Sequence, residues 1–203
     1  MKREHILRKQ SQRPFIDMPL SYGDLTDHIS GGSVVNNGRY AWDSNVGAYK
    51  FTQQGRSGLS NVPYVTGLNK PATAIDPTLQ NFNFTRQFEI YPMTSSGGKI
   101  RIFSEQANYP YICLNLLCVI NDTTNILYTR PYEWHTYKFI MYGLTYDVYI
   151  DGNHIQHIDQ ITFAPTHSIS LTNIVLSCGI VGDDYNNVSF CLRNIKYFEG
   201  QVI

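Results

Sequence analysis

The sequence predicts an all-β fold, specifically a two-sheet antiparallel β-sandwich of the jelly-roll type. Apolar and polar residues alternate along many short segments, and turn residues separate those segments at even spacing. Almost no segment shows the period of a helix. The 203 residues suit a single domain that can bury a core without disulfide bonds. The 15 tyrosines are typical of strands.

Residues 1–18 are predicted to form a basic N-terminal arm, separate from a sandwich of residues 19–203. The arm holds five of the sixteen basic residues, and the whole chain has no net charge. Such a run is commonly a solvated tail; here we expect it to anchor the chain to a partner. The anchoring residues are Lys2, Arg3, Arg8, Lys9 and Arg13.

The charge and hydropathy of the chain exclude several classes of partner. Because the net charge is zero, nucleic acid is not an expected partner, and contact of the arm with DNA would be weak and salt-sensitive. No apolar run reaches 18 residues, so no membrane span is expected. The opening MKREHILRKQSQRPF lacks the apolar region of a signal peptide, so we expect synthesis in a cytoplasm.

The first strands follow from alternation. NFTRQFEI predicts a strand with Phe84, Phe88 and Ile90 on one face. TSSGG then turns the chain into the strand KIRIFSE. In the next strand, residues 112–120, apolar residues occupy both faces, which predicts a central strand covered on both sides.

The segment WHTYKFIMYGLTYDVYIDGNHI, residues 134–155, predicts strands joined by tight turns. Its Asp-Gly-Asn sequence supplies the positive φ angles that a two-residue turn requires. We therefore expect a structural role for the segment, with Trp134 packed at the start of a strand. Tyr137, Phe139 and Met141 alternate with Thr136, Lys138 and Ile140 along the first strand. In the second strand the residues expected to line the core are Tyr146, Val148 and Ile150.

The last strand, VSFCLRNIKYF, places Phe190 and Leu192 on one face and then resumes with Ile195 and Tyr197. The alternation therefore slips by one residue. The slip indicates a β-bulge near residues 193–194.

The four cysteines show no metal-binding spacing. On an extended strand Cys113 and Cys118 would lie about 16 Å apart and point to opposite faces, too far for a disulfide. Cys118, Cys178 and Cys191 are predicted to be buried thiols.

No arrangement of residues indicates catalysis. Asp147 and Asp151 share a face, but their Cα atoms would lie about 13 Å apart, whereas glycosidase carboxyl pairs need roughly 5–9.5 Å between the carboxyl groups. The chain has no nucleophile elbow and no phosphate loop. His154 and His157 lack a second pair that would complete a zinc site. We therefore expect that the protein is not an enzyme and needs no cofactor. The alternative is a glycan hydrolase in which Asp147 or Asp183 is a catalytic acid.

Several segments together resemble the concanavalin A-like lectin/glucanase superfamily, and specifically its laminin G-like branch. They are PLSYGDLTDHISGG, GAYKFTQQG, FTRQFEIYPM, the segment 134–155 and the closing strand, and the resemblance covers about residues 19–200. Gln53 and Gln54 lengthen one turn relative to that pattern. The acidic E-x-D-x-(x)-E strand of the glucanases is absent. The resemblance implies weak calcium candidates at Asp122 and Asp183.

The resemblance leaves two functional interpretations, because this fold hosts many functions. The first is a structural and binding protein of a tailed-bacteriophage particle, located in the virion and docked on other virion proteins by the basic arm. The second is a carbohydrate-binding or adhesion module with no virion role. Candidate ligand-binding loop residues, for example for a host-surface glycan, are Tyr109, Tyr111, Asp183, Asp184, Tyr185 and Asn186.

Overall fold

The computed structural model of the protein describes residues 13–35, 40–53, 64–66, 75–76, 81–93, 98–102, 104–107, 116–120, 128–142, 145–158, 169–175 and 188–202. Regular structure within these ranges is entirely β-strand, which confirms the predicted all-β sandwich. The strands are β1 (Pro14–Met18), β2 (Ser33–Val35), β3 (Tyr40–Asp43), β4 (Ala48–Gln53), β5 (Tyr64–Thr66), β6 (Ile75–Asp76), β7 (Asn81–Pro92), β8 (Gly98–Ile102), β9 (Ser104–Ala107), β10 (Leu116–Ile120), β11 (Tyr128–Thr129), β12 (His135–Tyr142), β13 (Thr145–Ile150), β14 (Asn153–Ile158), β15 (Ile169–Val175) and β16 (Val188–Glu199).

Nine strands form one large antiparallel sheet. Its path is β14-β13-β12-β7-β16-β4-β3, with β1 beside β16 and β6 beside β7. A four-stranded sheet, β2-β5-β15-β9, and a three-stranded sheet, β11-β10-β8, contain the other described strands. β10 has a neighbour on each side, as predicted for the central strand 112–120, of which residues 112–115 lie outside the described ranges.

One face of the large sheet, the inner face, is the core. Phe88, Tyr137 and Phe139 are buried and stack with ring centroids 5.5–6.1 Å apart. Burying a side chain of this size contributes about 1.5–3 kcal/mol. Val148 and Ile150 are buried, as predicted, whereas the side chain of Tyr146 lies outside the description. In the preceding strand Ile140 is buried as well as its neighbours Phe139 and Met141.

Arg86 also lies on the inner face, which the sequence analysis did not anticipate. It is fully buried, and its guanidinium carbon lies 5.5 Å from the ring centroid of Phe139 and 5.6 Å from that of Tyr197. Its Nη1 donates to the Tyr197 hydroxyl at 3.3 Å. Arg86 shares the face predicted for Phe84, Phe88 and Ile90, although arginine is almost never fully buried unless it is paired.

The predicted bulge in β16 is confirmed, and it marks where this strand changes neighbours. Residues 188–192 pair with β4, whereas residues 195–198 pair with β1. The register to β7 shifts between Arg193 and Lys196, and Asn194 has a φ of 54°. Because of the extra residue, the four residues predicted to share one face, Phe190, Leu192, Ile195 and Tyr197, are all fully buried.

β1 brings residues 14–18 of the predicted arm into the large sheet. Ile16 and Met18 are fully buried and pair with Tyr197 and Ile195 of β16. The large sheet therefore includes part of the predicted arm, because alternation in this short strand places two apolar side chains in the core.

Cys191 is a buried free thiol, as predicted. Burial raises the pKa of this thiol to about 12, with a smaller contribution from Asp43. The Cys118 side chain, Cys113 and Cys178 lie outside the description. The described residues contain no helix that is long and apolar enough to cross a membrane.

Candidate functional site

Most residues predicted to form a site lie outside the described ranges. This holds for the anchoring residues other than Arg13, which is exposed just before β1. It also holds for the loop residues and the calcium candidates, namely Tyr109, Tyr111, Asp122, Asp183, Asp184, Tyr185 and Asn186. Among the side chains that are described, no group of three or more His, Cys, Asp or Glu residues could hold a metal ion.

The outer face of the large sheet, opposite the core, offers a different candidate. Strand register aligns its side chains in rows that run across the strands. One row contains Arg193, Glu89 and Thr136. The next row contains Lys196, Gln87, Lys138, Tyr149 and His154. Polar, charged and aromatic side chains thus form a continuous surface from β16 to β14.

One end of this face carries a cluster that we name the tryptophan corner. The Arg193 guanidinium carbon lies 3.9 Å from the ring centroid of Trp134, and the Tyr91 ring lies 5.5 Å from the same ring. A cation at this distance is attracted to the indole face. The corner comprises Glu89, Tyr91, Trp134, Arg193 and Asn194, and the exposed Tyr132 precedes Trp134 by two residues in the chain.

Glu89 holds the polar atoms of the corner in place. Its Oε2 accepts a hydrogen bond from Arg193 Nε at 2.6 Å, and its Oε1 accepts one from Asn194 Nδ2 at 2.8 Å. The Arg193 and Glu89 side chains are 38% and 23% exposed, so solvent weakens their ion pair to about 1 kcal/mol or less. No other described residue hydrogen-bonds the two terminal nitrogens of Arg193, which therefore remain available as donors.

Backbone strain concentrates around this corner. Tyr132 has a φ of 62° and a side chain that remains 52% exposed, and Asn194 at the bulge has a φ of 54°. A bulky residue rarely adopts a positive φ, and such strain clusters at functional sites. The Tyr132 N–H donates to the carbonyl of Pro92 at 2.8 Å, which fastens the turn to the end of β7.

A third residue with positive φ, Asp151, connects the corner to the β13–β14 turn. Its Oδ1 accepts from the Thr136 N–H at 2.8 Å, and its Oδ2 lies 2.8 Å from His135 Nδ1. His135 Nε2 lies 3.2 Å from the Arg130 carbonyl. These bonds tie the segment before Trp134 to the Asp-Gly-Asn turn, which has the predicted positive φ angles at Asp151 and Gly152.

The two acids considered as a catalytic pair, Asp147 and Asp151, are each engaged by other residues. Oδ1 of Asp147 accepts from His154 Nε2 at 2.9 Å and from His157 Nδ1 at 2.8 Å. Burial alone would raise the pKa of Asp147, but the hydrogen bonds from His157 and His154 outweigh it and lower the pKa. Asp147 is therefore an ionised acceptor near neutral pH.

Sequence reasoning placed Trp134 correctly at the start of a strand but missed its polar partners. Glu89 and Arg193 are 104 residues apart in the chain, and no local pattern pairs them. The slip in the apolar alternation at residues 193–194 was the one feature of the sequence that could have indicated a site here, because bulges are frequent beside functional sites.

The fold is similar to that of several carbohydrate-related domains. A botulinum neurotoxin type C structure, from work on cell entry through two ganglioside molecules, matches with a TM-score of 0.63 and 14% identity over 93% of this chain and 48% of that chain. The botulinum neurotoxin serotype C1 binding domain gives 0.63 and 15% over 94% and 49%. This chain thus spans about half the length of these neurotoxin chains.

A third similar structure matches over its whole length. Domain 4 of AbnA, a GH43 extracellular arabinanase from Geobacillus stearothermophilus, in complex with arabinotriose, gives a TM-score of 0.56 and 13% identity over 95% of both chains. At these identities the likeness establishes a β-sandwich fold and nothing about the ligand. No protein-family profile and no curated protein matches the sequence.

Proposed function

We propose that this chain is a non-catalytic binding module that recognises a carbohydrate through the tryptophan corner. The observation that carries the proposal is the strained turn that leaves Tyr132 exposed two residues before Trp134, whose ring lies against the Arg193 guanidinium that Glu89 holds. A sugar presents apolar C–H faces and hydroxyl edges. An exposed ring covers the first, and fixed guanidinium donors bind the second.

The similar folds support carbohydrate as the ligand class. One belongs to a neurotoxin whose cell entry depends on gangliosides, and another was solved with arabinotriose bound. We also assign the chain to the laminin G-like branch of these sandwiches. The tight hairpin of residues 134–155, which resembles that branch most closely, supports this assignment.

The proposal includes the absence of catalysis. Both carboxylate oxygens of Glu89 are hydrogen-bonded within the corner, and Asp147 is held ionised by two histidines. Neither is therefore placed to donate a proton to a glycosidic oxygen. Hydrolysis of a β-glucan that disappears in Asp147→Asn or Asp183→Asn would contradict this part.

The test is a glycan array followed by titration calorimetry with the best ligand. Tyr132→Ala and Arg193→Gln should each weaken binding about tenfold, since a stacked ring or a charged donor contributes about 1–2 kcal/mol. Tyr22→Ala is the matched control, because Tyr22 is 76% exposed but packs on Trp42, away from the corner. Binding that depends on Tyr22 and not on Tyr132, or no glycan binding at all, would exclude the corner as the site.

A second candidate function is a structural role in a bacteriophage particle, with docking on other virion proteins. The concentration of five basic residues in the first 13, in a chain of zero net charge, supports docking through the arm. Removal of residues 1–13 should then abolish incorporation into particles and leave glycan binding unchanged. Equal incorporation of the full and truncated chains would argue against it.

A further inference from the structure

We propose that the corner continues into a subsite for the carboxylate of an acidic sugar unit, formed by Lys138, Gln87 and Lys196. We name these three residues the lysine row. The inference rests on the proposed function and deepens it by giving the ligand a charge. The ligand class is an oligosaccharide that contains a carboxylate-bearing monosaccharide.

Strand register builds this subsite. Gln87 of β7 lies opposite Lys138 of β12 on one side and opposite Lys196 of β16 on the other. Since neighbouring strands lie about 4.8 Å apart, the lysine Cα atoms are about 10 Å apart across Gln87. Two flexible ammonium groups can therefore converge on one anionic group, with the Gln87 amide between them as a further donor.

Among the residues that the structure describes, no carboxylate neutralises the positive charge of Lys138. Its Nζ lies 3.5 Å from the carbonyl oxygen of Val202 and 5.2 Å from the ring centroid of Tyr149. In the described part of the chain no carboxylate lies within 4 Å of it. By contrast, the corner cation Arg193 is neutralised by Glu89 at 2.6 Å.

Lys196 has only a weak partner. Its Nζ lies 3.7 Å from Asp17 Oδ1, and the two side chains are 38% and 27% exposed. An exposed pair at this distance contributes little stability. A ligand carboxylate can therefore engage Lys196 at small energetic cost.

The lysine row lies between the tryptophan corner and the C-terminal segment 200–202. Along β7, Gln87 is two residues from Glu89 of the corner, which is about 7 Å. On the other side, the C-terminal segment 200–202 covers Thr85, whose Oγ1 donates to the Gly200 carbonyl at 2.9 Å and accepts from the Val202 N–H at 2.9 Å. A ligand that occupies the corner can thus extend to the lysine row but not beyond it.

The other carboxylate near this row is already hydrogen-bonded. Asp147 lies in the same row as Thr85, and its Oδ1 accepts from His154 and His157. Tyr149, between Lys138 and His154 in register, adds a partly exposed ring. Among the described residues of this part of the face, Lys138 is therefore the charged group without an ion-pair partner, and its positive charge complements an anionic sugar.

The experiment compares one acidic ligand with its uncharged form. A glycan array with acidic, sulfated and neutral glycans selects the ligand, and calorimetry then measures the acid against its carboxyl methyl ester. We expect the acid to bind about tenfold more tightly than the ester, since a hydrogen bond to a charged group contributes about 1.5 kcal/mol or more. This preference should decline as salt rises from about 50 to 500 mM.

The variants locate the effect. Lys138→Gln and Lys196→Gln should reduce the preference for the acid, and the double variant should remove it. Lys138→Arg retains the charge and should retain the preference. Lys50→Gln is the matched control, because Lys50 lies on the same face three strands from Lys138 and opposite Cys191. Thermal unfolding checks that each variant is folded.

The possible failures can be distinguished. Equal binding of acid and ester, selection of sulfated glycans alone, or a preference that survives in the double variant would overturn the lysine row as a carboxylate subsite. If the chain binds only neutral glycans and loses them in Tyr132→Ala, the proposed function stands and this inference fails. If it binds no glycan, both fail.

Discussion

Asp24 and His28 form an exposed ion pair in the loop between β1 and β2. His28 Nε2 lies 2.6 Å from Asp24 Oδ2. Hydrogen bonds from Thr26 and then from His28 lower the pKa of Asp24 to about 2, and the bond to Asp24 raises the pKa of His28 above its usual 6.5. The two groups therefore stabilise the loop together only where both are charged.

This pair should give the stability of the chain a defined pH dependence. The contribution of His28 is complete below pH 6.5 and is lost as the pH rises through its raised pKa. The contribution of Asp24 is complete above about pH 4 and is lost as the pH falls towards 2. The melting temperature of the wild type should thus exceed that of His28→Gln most between about pH 4 and 6.5. A difference that is constant from pH 3 to 9 would contradict this.

The loop itself is held by a buried carboxylate nearby. Asp27 is almost fully buried, and its Oδ1 accepts from the Asp17 N–H at 2.7 Å, while its Oδ2 accepts from the N–H and hydroxyl of Ser30. A buried acceptor with this many donors stabilises one loop conformation. The ion pair of Asp24 and His28 therefore adds only a small stabilisation to a loop whose conformation Asp27 already fixes.

The bulge in β16 separates the part of the strand that pairs with β4 from the part that pairs with β1. Before it the strand pairs with β4, and after it with β1. Asn194 has a positive φ, and its N–H donates to the Pro19 carbonyl at 3.1 Å. Since side chains alternate between the two faces, the extra residue decides which face the rest of β16 buries.

Deletion of Asn194 should therefore prevent correct folding. The deletion moves Ile195 and Tyr197, both fully buried, to the outer face, and each loses about 1.5–3 kcal/mol of burial. Asn194→Gly tolerates the positive φ and should change the free energy of unfolding by less than about 1 kcal/mol, whereas Asn194→Val should lower it by about 1–2 kcal/mol. Urea unfolding measures all three. A deletion variant that unfolds with wild-type cooperativity would show that the register can adjust.

The extent of the folded domain can be tested by two truncations of the N-terminus. β1 contributes two fully buried side chains, Ile16 and Met18, and pairs with β16. Removal of residues 1–12 keeps every described contact of β1 and should leave the free energy of unfolding unchanged within about 0.5 kcal/mol. Removal of residues 1–18 should lower it by at least about 3 kcal/mol. Equal stability of the two truncated chains would mean that β1 is dispensable.

Local patterns were enough to predict several strands of the large sheet, although the predicted strand KIRIFSE is divided between β8 and β9, which belong to different sheets. The alternation in NFTRQFEI and in residues 134–155 identified β7, β12 and β13, because a period of two residues follows directly from strand geometry. The slip at residues 193–194 located the bulge, and the Asp-Gly-Asn turn was identified from its backbone requirement. Each of these signals lies within a few consecutive residues.

The partners across strands were beyond such patterns. Glu89 joins Arg193 from 104 residues away, and Lys138 and Lys196 meet across Gln87 only because β7 lies between β12 and β16. Arg86 was missed for the same reason, since its aromatic neighbours come from two other strands. Composition and alternation specify which residues of a strand face inwards. Strand order specifies which outward residues become neighbours, and that order depends on long-range packing that no short stretch of sequence records.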